Sequence, residues 1–526
     1  MNNVPNKILI LIVFFLVLSI YLIYASNFNQ LLLRYDSYVY LIKSLEITDG
    51  NLIPIKTHAL GWPLATALFF YFFKSSSIFV NMIYAQFLSV FVNGLIIFPL
   101  YGICKKILDN KNTLLVLLIF PLSYWLMYSS SGFWTEPLFT FLLLVSLFYI
   151  YKSRENPNYI LLAAAFASLS YWVRPNGLVI LPVIILSHFF LEKNKKSWFF
   201  YAFLTAIVFF AISAPFLYQR YLYFGSPFFY GENSKYWADT YEQLLGANYS
   251  AFSFLDYLKT HSLPNITHRF IIGGLGALIF GLLAFSLPLT IFFLWGLFSS
   301  LKKVEFIPLV IFLAIWLISL APIFSVFYTG RYLFPTIPII LIFTAAGLKA
   351  TSSKLTNPNL FLALAIGLTA PFLLVGFVYP NYYYQNSSAN YSEKLEFGRW
   401  VAANIKGKIA MGYDWDFIMM NLPDTQVGGR GLFNPIAPKS GIEIIYPGYF
   451  NNIDSAMKWF KKNKITHVII SQEPRTVHPP LRILPNVDKP DYLELIYSKF
   501  DDIYNWQVEV YKVNWKEYDK IKSHES

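Results

Sequence analysis

The residues best suited to chemistry are two acids and two arginines at the ends of apolar segments. Asp36 follows the first apolar run, and Glu136 directly precedes a proline and another apolar run. Arg174 and Arg331 lie at similar boundaries. A charge at a water–lipid boundary is costly unless it is paired or has a function. These four residues are therefore the first candidates for a functional site.

Asp36 has two interpretations. The spacing of Asp36, Tyr40 and Lys43 places all three on one face of a short predicted helix. As a functional residue, Asp36 is a general base at the membrane surface, with Tyr40 beside it as a substrate contact. As a structural residue, it is a carboxylate stabilised by the helix dipole. We predict the catalytic role.

Glu136 also has two interpretations. Thr135 is a good N-cap residue and Pro137 suits a first helical turn, so Glu136 begins a helix. A capping acid explains the residue adequately. We predict a second catalytic acid, because the short loop before it keeps Glu136 near the membrane.

The two arginines are candidate phosphate contacts. The planar guanidinium of Arg331 suits bidentate binding of a phosphate, and its structural alternative is an arginine that contacts lipid headgroups. Arg174 lies in a turn and is either a second phosphate contact or a turn residue. His58 and Lys56 lie in the first large loop and could reach a phosphate or sugar. A lone histidine is more often a hydrogen-bonded structural residue.

The composition indicates a membrane protein. Of 526 residues, 56% are hydrophobic and only 13% are charged. The net charge of +12 is better explained by basic loops that face an anionic leaflet than by a nucleic-acid surface. Cys104 is the only cysteine, which excludes an internal disulfide and a cysteine metal cluster. No phosphate-binding glycine loop or serine nucleophile elbow is present, which argues against a pump driven by ATP and a serine hydrolase.

Apolar runs predict about eleven membrane spans, the first of them retained rather than cleaved as a signal peptide. They cover residues 8–25, 79–103, 113–131, 137–151, 159–173, 176–191, 198–218, 273–298, 307–325, 333–349 and 358–379. With a cytoplasmic N-terminus, every short lysine cluster falls on the inner side. The odd count then places residues 380–526 outside the cytoplasm.

Two domains are predicted. Residues 1–379 form an all-α transmembrane catalytic domain with large outer loops at 26–78 and 219–272. Residues 380–526 form a small extracytoplasmic α/β domain, because alternating apolar residues return there. We expect strands at 408–412, 467–471, 493–498 and 506–513, and a helix at 454–462.

Five short segments occur in a recognisable order: 35–40 (YDSYVY), 61–64 (GWPL), 135–139 (TEPLF), 174–177 (RPNG) and 330–335 (GRYLFP). In these motifs and their order, the chain resembles the GT-C superfamily of glycosyltransferases that use lipid-phosphate sugars. It is most similar to the dolichyl-phosphate-mannose protein mannosyltransferase and aminoarabinose transferase group. Ser37 is a departure, because many relatives have a second acid directly after the first.

The resemblance implies an inverting transferase that moves a sugar from a polyprenyl or dolichyl phosphate to a lipid, glycan or protein acceptor. Asp36 would be the base, Glu136 the second acid and Arg331 a phosphate contact. Ser37 leaves the metal requirement open: no metal ligand is assigned, and a divalent cation stays an alternative. We expect an integral protein of the cell membrane, or of the endoplasmic reticulum in a eukaryote, with its site on the extracytoplasmic side. The competing hypothesis is a transporter or flippase for a lipid-linked or anionic substrate.

Overall fold

The structure is a computed structural model with a helical N-terminal part and a C-terminal sheet. It describes residues 6–27, 35–54, 58–123, 129, 132–192, 195–228, 237, 254–276, 278–279, 281, 289–325, 330–352, 393–394, 396–411, 426–428, 442–445, 452–471, 490–499 and 507–525.

The N-terminal part is helical because a helix satisfies every backbone hydrogen bond within one apolar segment. Its first eight helices are α1 (Asn6–Asn27), α2 (Tyr35–Thr48), α3 (Gly61–Phe73), α4 (Ile78–Leu95), α5 (Ile97–Ile107), α6 (Asn110–Ile119), α7 (Glu136–Lys152) and α8 (Tyr159–Val173). They are followed by α9 (Ile180–Leu191), α10 (Lys195–Phe224), α11 (Phe254–Thr260), α12 (Leu263–Thr267), α13 (Thr290–Ser300), α14 (Ile307–Phe324) and α15 (Ile337–Ser352).

Five described stretches are long and apolar enough to cross a membrane. They are Ile8–Ser26, Val80–Ile107, Lys196–Phe224, Val304–Phe324 and Arg331–Ser352. Other expected spans correspond to shorter apolar helices, among them α6, α8 and α13. The eleventh expected span, 358–379, lies outside the described residues. The prediction of a polytopic helical protein therefore holds, while the count of eleven stays a prediction.

Tight helical turns connect several of these helices and carry the candidate arginines. A 3₁₀ turn at Pro175–Val179 follows Arg174 and joins α8 to α9. Another, at Gly330–Thr336, contains Arg331 and leads into α15. Further 3₁₀ turns lie at Phe120–Leu122 and Val304–Phe306, and a π-helix lies at His268–Leu275. Turns of this kind place a side chain at a helix end, where it can face a neighbouring helix end.

Close backbone contacts at two glycines fix the end of α8. A Cβ atom on Gly61 would lie 2.5 Å from the carbonyl carbon of Trp172, and one on Gly177 would lie 2.4 Å from the backbone nitrogen of Tyr171. Only glycine permits such an approach. The first turn of α3 and the 3₁₀ turn after α8 therefore both pack directly against the segment that ends in Arg174.

The C-terminal part contains a six-stranded mixed sheet. Its strands are β1 (Gly407–Met411), β2 (Gln426–Gly428), β3 (Ile442–Ile445), β4 (His467–Ser471), β5 (Leu493–Lys499) and β6 (Val508–Val513), in the order β2-β3-β1-β4-β6-β5. The first four run parallel, and β6 pairs antiparallel with both β4 and β5. Helices α16 (Ile453–Lys462) and α17 (Trp515–Glu525) accompany the sheet.

Alternation predicted four of the six strands and α16 to within about two residues. It missed β2, β3 and α17, which are too short or too polar to show a clear period in the sequence. Described parts of the sheet and the helices share one continuous apolar core, which includes Phe397, Ile409 and Val510. The division into two domains at residue 379 stays a prediction.

Candidate active site

A cleft at one group of helix ends contains all four charged candidates. It encloses about 380 Å³, its open mouth included. Its lining consists of Asp36, Tyr40, His58, Trp134, Thr135, Glu136, Val173, Arg174, Arg331 and Tyr332. Six of these ten residues are site candidates predicted from the sequence: Asp36, Tyr40, His58, Glu136, Arg174 and Arg331.

The lining residues meet because they lie at the ends of four separate helical segments. Asp36 is in the first turn of α2, and Glu136 is the first residue of α7. Arg174 directly follows α8, and Arg331 is the second residue of the 3₁₀ turn before α15. Asp36, Glu136 and Arg331 lie at the N-terminal ends of their helical segments, which favour nearby negative charge, whereas Arg174 lies at the C-terminal end of α8.

Asp36 is held from two sides. The Nη1 group of Arg331 donates a hydrogen bond to Oδ2 of Asp36 at 2.6 Å. The Nε2 atom of His58 lies 3.3 Å from Oδ1. Because an ionised carboxylate only accepts hydrogen bonds, His58 donates from Nε2. Both side chains of the Asp36–Arg331 pair remain partly exposed, at 21% and 31%.

The surroundings of Asp36 strongly favour its ionised form. Burial alone would raise the pKa of Asp36, but the charge of Arg331 and the hydrogen bond from His58 outweigh it. The pKa of this carboxyl group therefore lies well below its usual range. An acid in this state is a reliable anion but a weak base while Arg331 stays in place.

Glu136 forms the second ion pair, deeper in the cleft. The Nη1 group of Arg174 donates to Oε1 of Glu136 at 2.5 Å, and the two side chains are only 14% and 4% exposed. The expected N-cap is wrong in its detail: the hydroxyl of Thr135 makes no capping bond and instead donates to Oε2 of Glu136 at 3.3 Å. Glu136 is therefore held by an arginine and a hydroxyl group, both outside its own helix.

Arg331 links the two pairs. Its Nε atom lies 3.8 Å from Oε1 of Glu136, while its Nη1 group is bound to Asp36. The two guanidinium groups also share an aromatic ring, since the Cζ atoms of Arg174 and Arg331 lie 5.1 Å and 5.6 Å from the ring centroid of Tyr332. The Cζ atom of Arg331 lies 5.2 Å from the ring of Trp134. Acids and aromatic rings thus hold two cations side by side.

The structure places the remaining candidates from the sequence in different ways. Tyr40 lines the cleft, and its ring lies 5.0 Å from the ring of His58 in an edge-on arrangement. His58 is buried and contacts Asp36, so its position agrees with the structural interpretation as well as with a role at the site. Lys43, expected on the same face as Asp36, donates instead to Glu46 at 2.7 Å. Lys56 lies outside the described residues.

Sequence reasoning missed the two aromatic residues that contact the arginines. Tyr332 directly follows Arg331 in the segment 330–335, and Trp134 lies two residues before Glu136. For Tyr332, proximity to a candidate arginine was the available signal, because guanidinium groups often stack on aromatic rings. It also missed Trp316, whose Nε1 group donates to the carbonyl oxygen of Tyr332 at 3.2 Å and so helps to fix the 3₁₀ turn of Arg331.

Several solved structures are similar to this chain. ArnT from Cupriavidus metallidurans, bound to undecaprenyl phosphate, matches with a TM-score of 0.56 and 12% identity over 96% of this chain and 97% of that one. The oligosaccharyltransferase AglB from Archaeoglobus fulgidus, in complex with an inhibitory peptide and a dolichol-phosphate, gives 0.53 and 13% over 93% and 74%. An A. fulgidus oligosaccharyltransferase in complex with Zn and sulfate gives 0.51 and 14% over 86% and 67%.

The zinc in the last of these structures raises the question of a metal here. Among the residues that the structure describes, no group of three or more His, Cys, Asp or Glu side chains could hold a metal ion. Both acids of the cleft are already bound to arginines. The described residues of the cleft therefore do not form a metal site by themselves, and a divalent cation stays an alternative.

No protein-family model and no curated protein matches the sequence. The similarity is therefore one of structure, and it extends over most of the chain. At 12% and 13% sequence identity it establishes a shared fold. The predicted resemblance is confirmed at that level: the chain has the fold of the GT-C membrane glycosyltransferases.

Proposed function

We propose that this protein is an inverting glycosyltransferase that moves a sugar from a polyprenyl or dolichyl phosphate to a hydroxyl group of a lipid, glycan or protein acceptor. The observation that carries the proposal is the Asp36–Arg331 pair, which places a carboxylate and a guanidinium 2.6 Å apart at an open cleft. The structural neighbours that were solved with undecaprenyl phosphate and dolichol-phosphate support a lipid-phosphate donor.

The reaction needs one base and a site for the phosphate. The acceptor oxygen forms a bond to the anomeric carbon of the sugar while the bond from that carbon to the phosphate oxygen breaks. The phosphate leaves with the electron pair and becomes a dianion, and the acceptor proton passes to Asp36. No strong general acid is required, because the leaving group is already a stable anion. A single in-line displacement inverts the anomeric carbon.

Arg331 has two uses in this mechanism. In the free protein it neutralises Asp36, and its partly exposed side chain can also meet a donor phosphate at the mouth of the cleft. A phosphate that draws Arg331 away from Asp36 raises the pKa of the carboxyl group, because the largest charge that favours ionisation has moved. Donor binding thus strengthens the base, and Arg331 then neutralises the charge that develops on the leaving phosphate.

Glu136 and Arg174 have a supporting role. Glu136 is almost fully buried and bound to Arg174, so it is poorly placed to take a proton from an acceptor. Its carboxylate lies within 3.8 Å of Arg331 as well and lowers the repulsion between the two arginines. We therefore assign Glu136 to positioning the arginines rather than to proton transfer, with Arg174 as the inner contact of the phosphate.

Turnover with a defined donor tests the proposal. The full-length protein, purified in detergent, is incubated with polyprenyl-phosphate sugars that are radiolabelled in the sugar and with candidate peptide, glycan and lipid acceptors. A transferase releases polyprenyl monophosphate and labels the acceptor. Parallel reactions with a chelator and with added divalent cations decide the metal requirement.

The transporter alternative predicts a different outcome. A flippase moves the intact donor across proteoliposomes and leaves its sugar attached to the lipid. Label that crosses the membrane but is never separated from the lipid would contradict the transferase proposal.

The side of the membrane is a separate part of the proposal. Lysine clusters on one side and an odd number of predicted spans place the cleft and the C-terminal sheet outside the cytoplasm. A reporter that is active only in the cytoplasm, fused after Ser526, should therefore be silent. A control fusion in the predicted inner loop near Lys302 should be active, and a bright signal from the C-terminal fusion would reverse the topology.

A further inference from the structure

Arg220 is a buried cation that the mechanism does not use. It lies in the last turns of α10, within a stretch long and apolar enough to cross a membrane, and is only 1% exposed. Burial of a guanidinium is unfavourable unless its surroundings compensate for the lost water. Its contacts therefore indicate its role.

The contacts of Arg220 point to the loop between α2 and α3. Its Nη2 group donates to the carbonyl oxygen of His58 at 2.7 Å. Its Cζ atom lies 5.2 Å from the ring centroids of Phe216 and Phe224. The preceding residue, Gln219, donates to the carbonyl oxygen of Leu52. Two consecutive side chains of α10 thus hold this loop at two points.

The loop matters because it carries His58 to Asp36. The Nε2 atom of His58 lies 3.3 Å from the Asp36 carboxylate, and the ring packs edge-on against Tyr40. His58 lies between two helices rather than within one, so the placement of its side chain depends on the contacts of its backbone. The carbonyl group that Arg220 binds belongs to His58 itself.

We propose that Arg220 is a positioning residue: by binding the His58 carbonyl group, it keeps the His58 imidazole against Asp36. The guanidinium suits this task because it can stack between two aromatic rings and still direct an N–H group at a carbonyl oxygen. A lysine could supply the hydrogen bond but not the stacking. The effect on turnover rests on the proposed transferase function, whereas the effect on the loop does not.

A double-mutant cycle on turnover tests whether Arg220 acts through His58. In the full-length protein, Arg220→Met and His58→Ala should each lower kcat by about 10- to 100-fold, the effect of a misplaced catalytic group. Binding of polyprenyl monophosphate should change by less than about threefold, since Arg331 and Arg174 remain. The double variant should be no slower than the slower single variant, and Arg220→Lys should lie between Arg220→Met and the wild type. Multiplied losses in the double variant, or an unchanged kcat in Arg220→Met, would overturn the proposal.

Ser213→Ala is the matched control. Ser213 is a buried polar residue of the same helix, and its hydroxyl oxygen lies 2.6 Å from that of Ser168 in α8. It should leave kcat unchanged. A loss as large as that of Arg220→Met would show that α10 acts only through general packing.

Hydrogen–deuterium exchange gives an answer that needs no turnover. In the ligand-free protein, Arg220→Met should increase exchange in peptides that cover residues 50–60 and 36–42, and Ser213→Ala should not. In the peptide that covers residues 36–42, the double variant of Arg220→Met and His58→Ala should exchange deuterium no faster than the faster of the two single variants. Unchanged exchange at these peptides would contradict the proposal even if the wild type proved inactive as a transferase. Arg220→Lys replaces Arg220→Met in both experiments if the methionine variant does not fold.

Discussion

The two acid–arginine pairs of the cleft have the same chemistry and opposite surroundings. Glu136 and Arg174 are 4% and 14% exposed, whereas Asp36 and Arg331 are 21% and 31% exposed. A buried pair that loses one partner leaves an uncompensated charge in a medium of low polarity, so it is suited to holding structure. A pair at an open mouth can exchange partners with a ligand at much lower cost.

This difference assigns different tasks to two residues that looked equivalent. Asp36 and Glu136 both lie in the first turn of a helix beside an apolar segment. We propose that the outer pair separates when a phosphate arrives, whereas the inner pair stays closed and fixes the geometry. Variants of each pair can test this division between an outer catalytic pair, Asp36 and Arg331, and an inner structural pair, Glu136 and Arg174.

The largest effect is expected on turnover in Asp36→Asn. The amide keeps the size of the side chain but cannot accept the acceptor proton, so turnover should fall by about 10² to 10⁴. If Asp36 only stabilises the helix dipole, the result is instead a stability loss of about 1 kcal/mol or less with normal turnover. Turnover and thermal stability measured on the same purified variant separate the two roles.

Glu136→Gln should mainly affect stability. It leaves the buried guanidinium of Arg174 without its carboxylate, which should lower the free energy of unfolding by roughly 3–5 kcal/mol. Thermal unfolding in one detergent measures this, and Asp519→Asn, which breaks an exposed pair with Lys461, is the control. The paired change Glu136→Leu with Arg174→Met should restore most of the loss. Normal stability in Glu136→Gln would remove the structural assignment of the inner pair.

Arg331→Lys should weaken donor binding despite its conserved charge. The lysine cannot contact a phosphate with two parallel N–H groups, and a hydrogen bond to a charged group contributes roughly 1.5–3 kcal/mol. Titration with polyprenyl monophosphate measures the change, and Lys74→Arg, at an exposed pair with Asp49, is a control for surface charge. Unchanged affinity in Arg331→Ala would exclude Arg331 from the phosphate site.

Asp36→Asn should bind polyprenyl monophosphate more tightly than the wild type does. Asp36 no longer competes for Arg331, and a gain of about 1 kcal/mol is expected for a partly exposed pair. In an Arg331→Ala background the same change should have almost no effect, because the competition is already absent. Equal tightening in both backgrounds would mean simple repulsion between Asp36 and the phosphate. Asp49→Asn is the control for net charge, because Asp49 is an exposed carboxylate directly after α2, the helix that contains Asp36.

The smallest expected effect is a shift between two pH profiles. Arg331 and His58 lower the pKa of Asp36 in the free protein, and a bound donor phosphate reverses part of this. The acid limb of kcat, which reports the donor complex, should therefore lie at higher pH than the acid limb of kcat/KM that belongs to Asp36. The same separation is expected in a His58→Gln variant, which has no histidine beside Asp36. Acid limbs of kcat and kcat/KM at the same pH would contradict the proposal that Arg331 moves from Asp36 to the donor phosphate.

The sequence determined the class of protein and much of its layout. Apolar runs that can satisfy their backbone only as helices fixed the helical part, and returning alternation revealed the C-terminal sheet. Charged residues at apolar boundaries identified Asp36, Glu136, Arg174 and Arg331, because such positions are unfavourable without a partner. These signals are local, so a single sequence carries them.

Only the tertiary structure decided which acid meets which arginine. Asp36 and Arg331 are separated by 295 positions, and Glu136 and Arg174 by 38. No local pattern encodes such a pairing, because it depends on how helix ends come together at close contacts such as that between Gly61 and Trp172. The sequence did not show burial either, because Glu136 and Asp36 are similar acids in similar motifs. The packing around them encloses Glu136 and leaves Asp36 accessible.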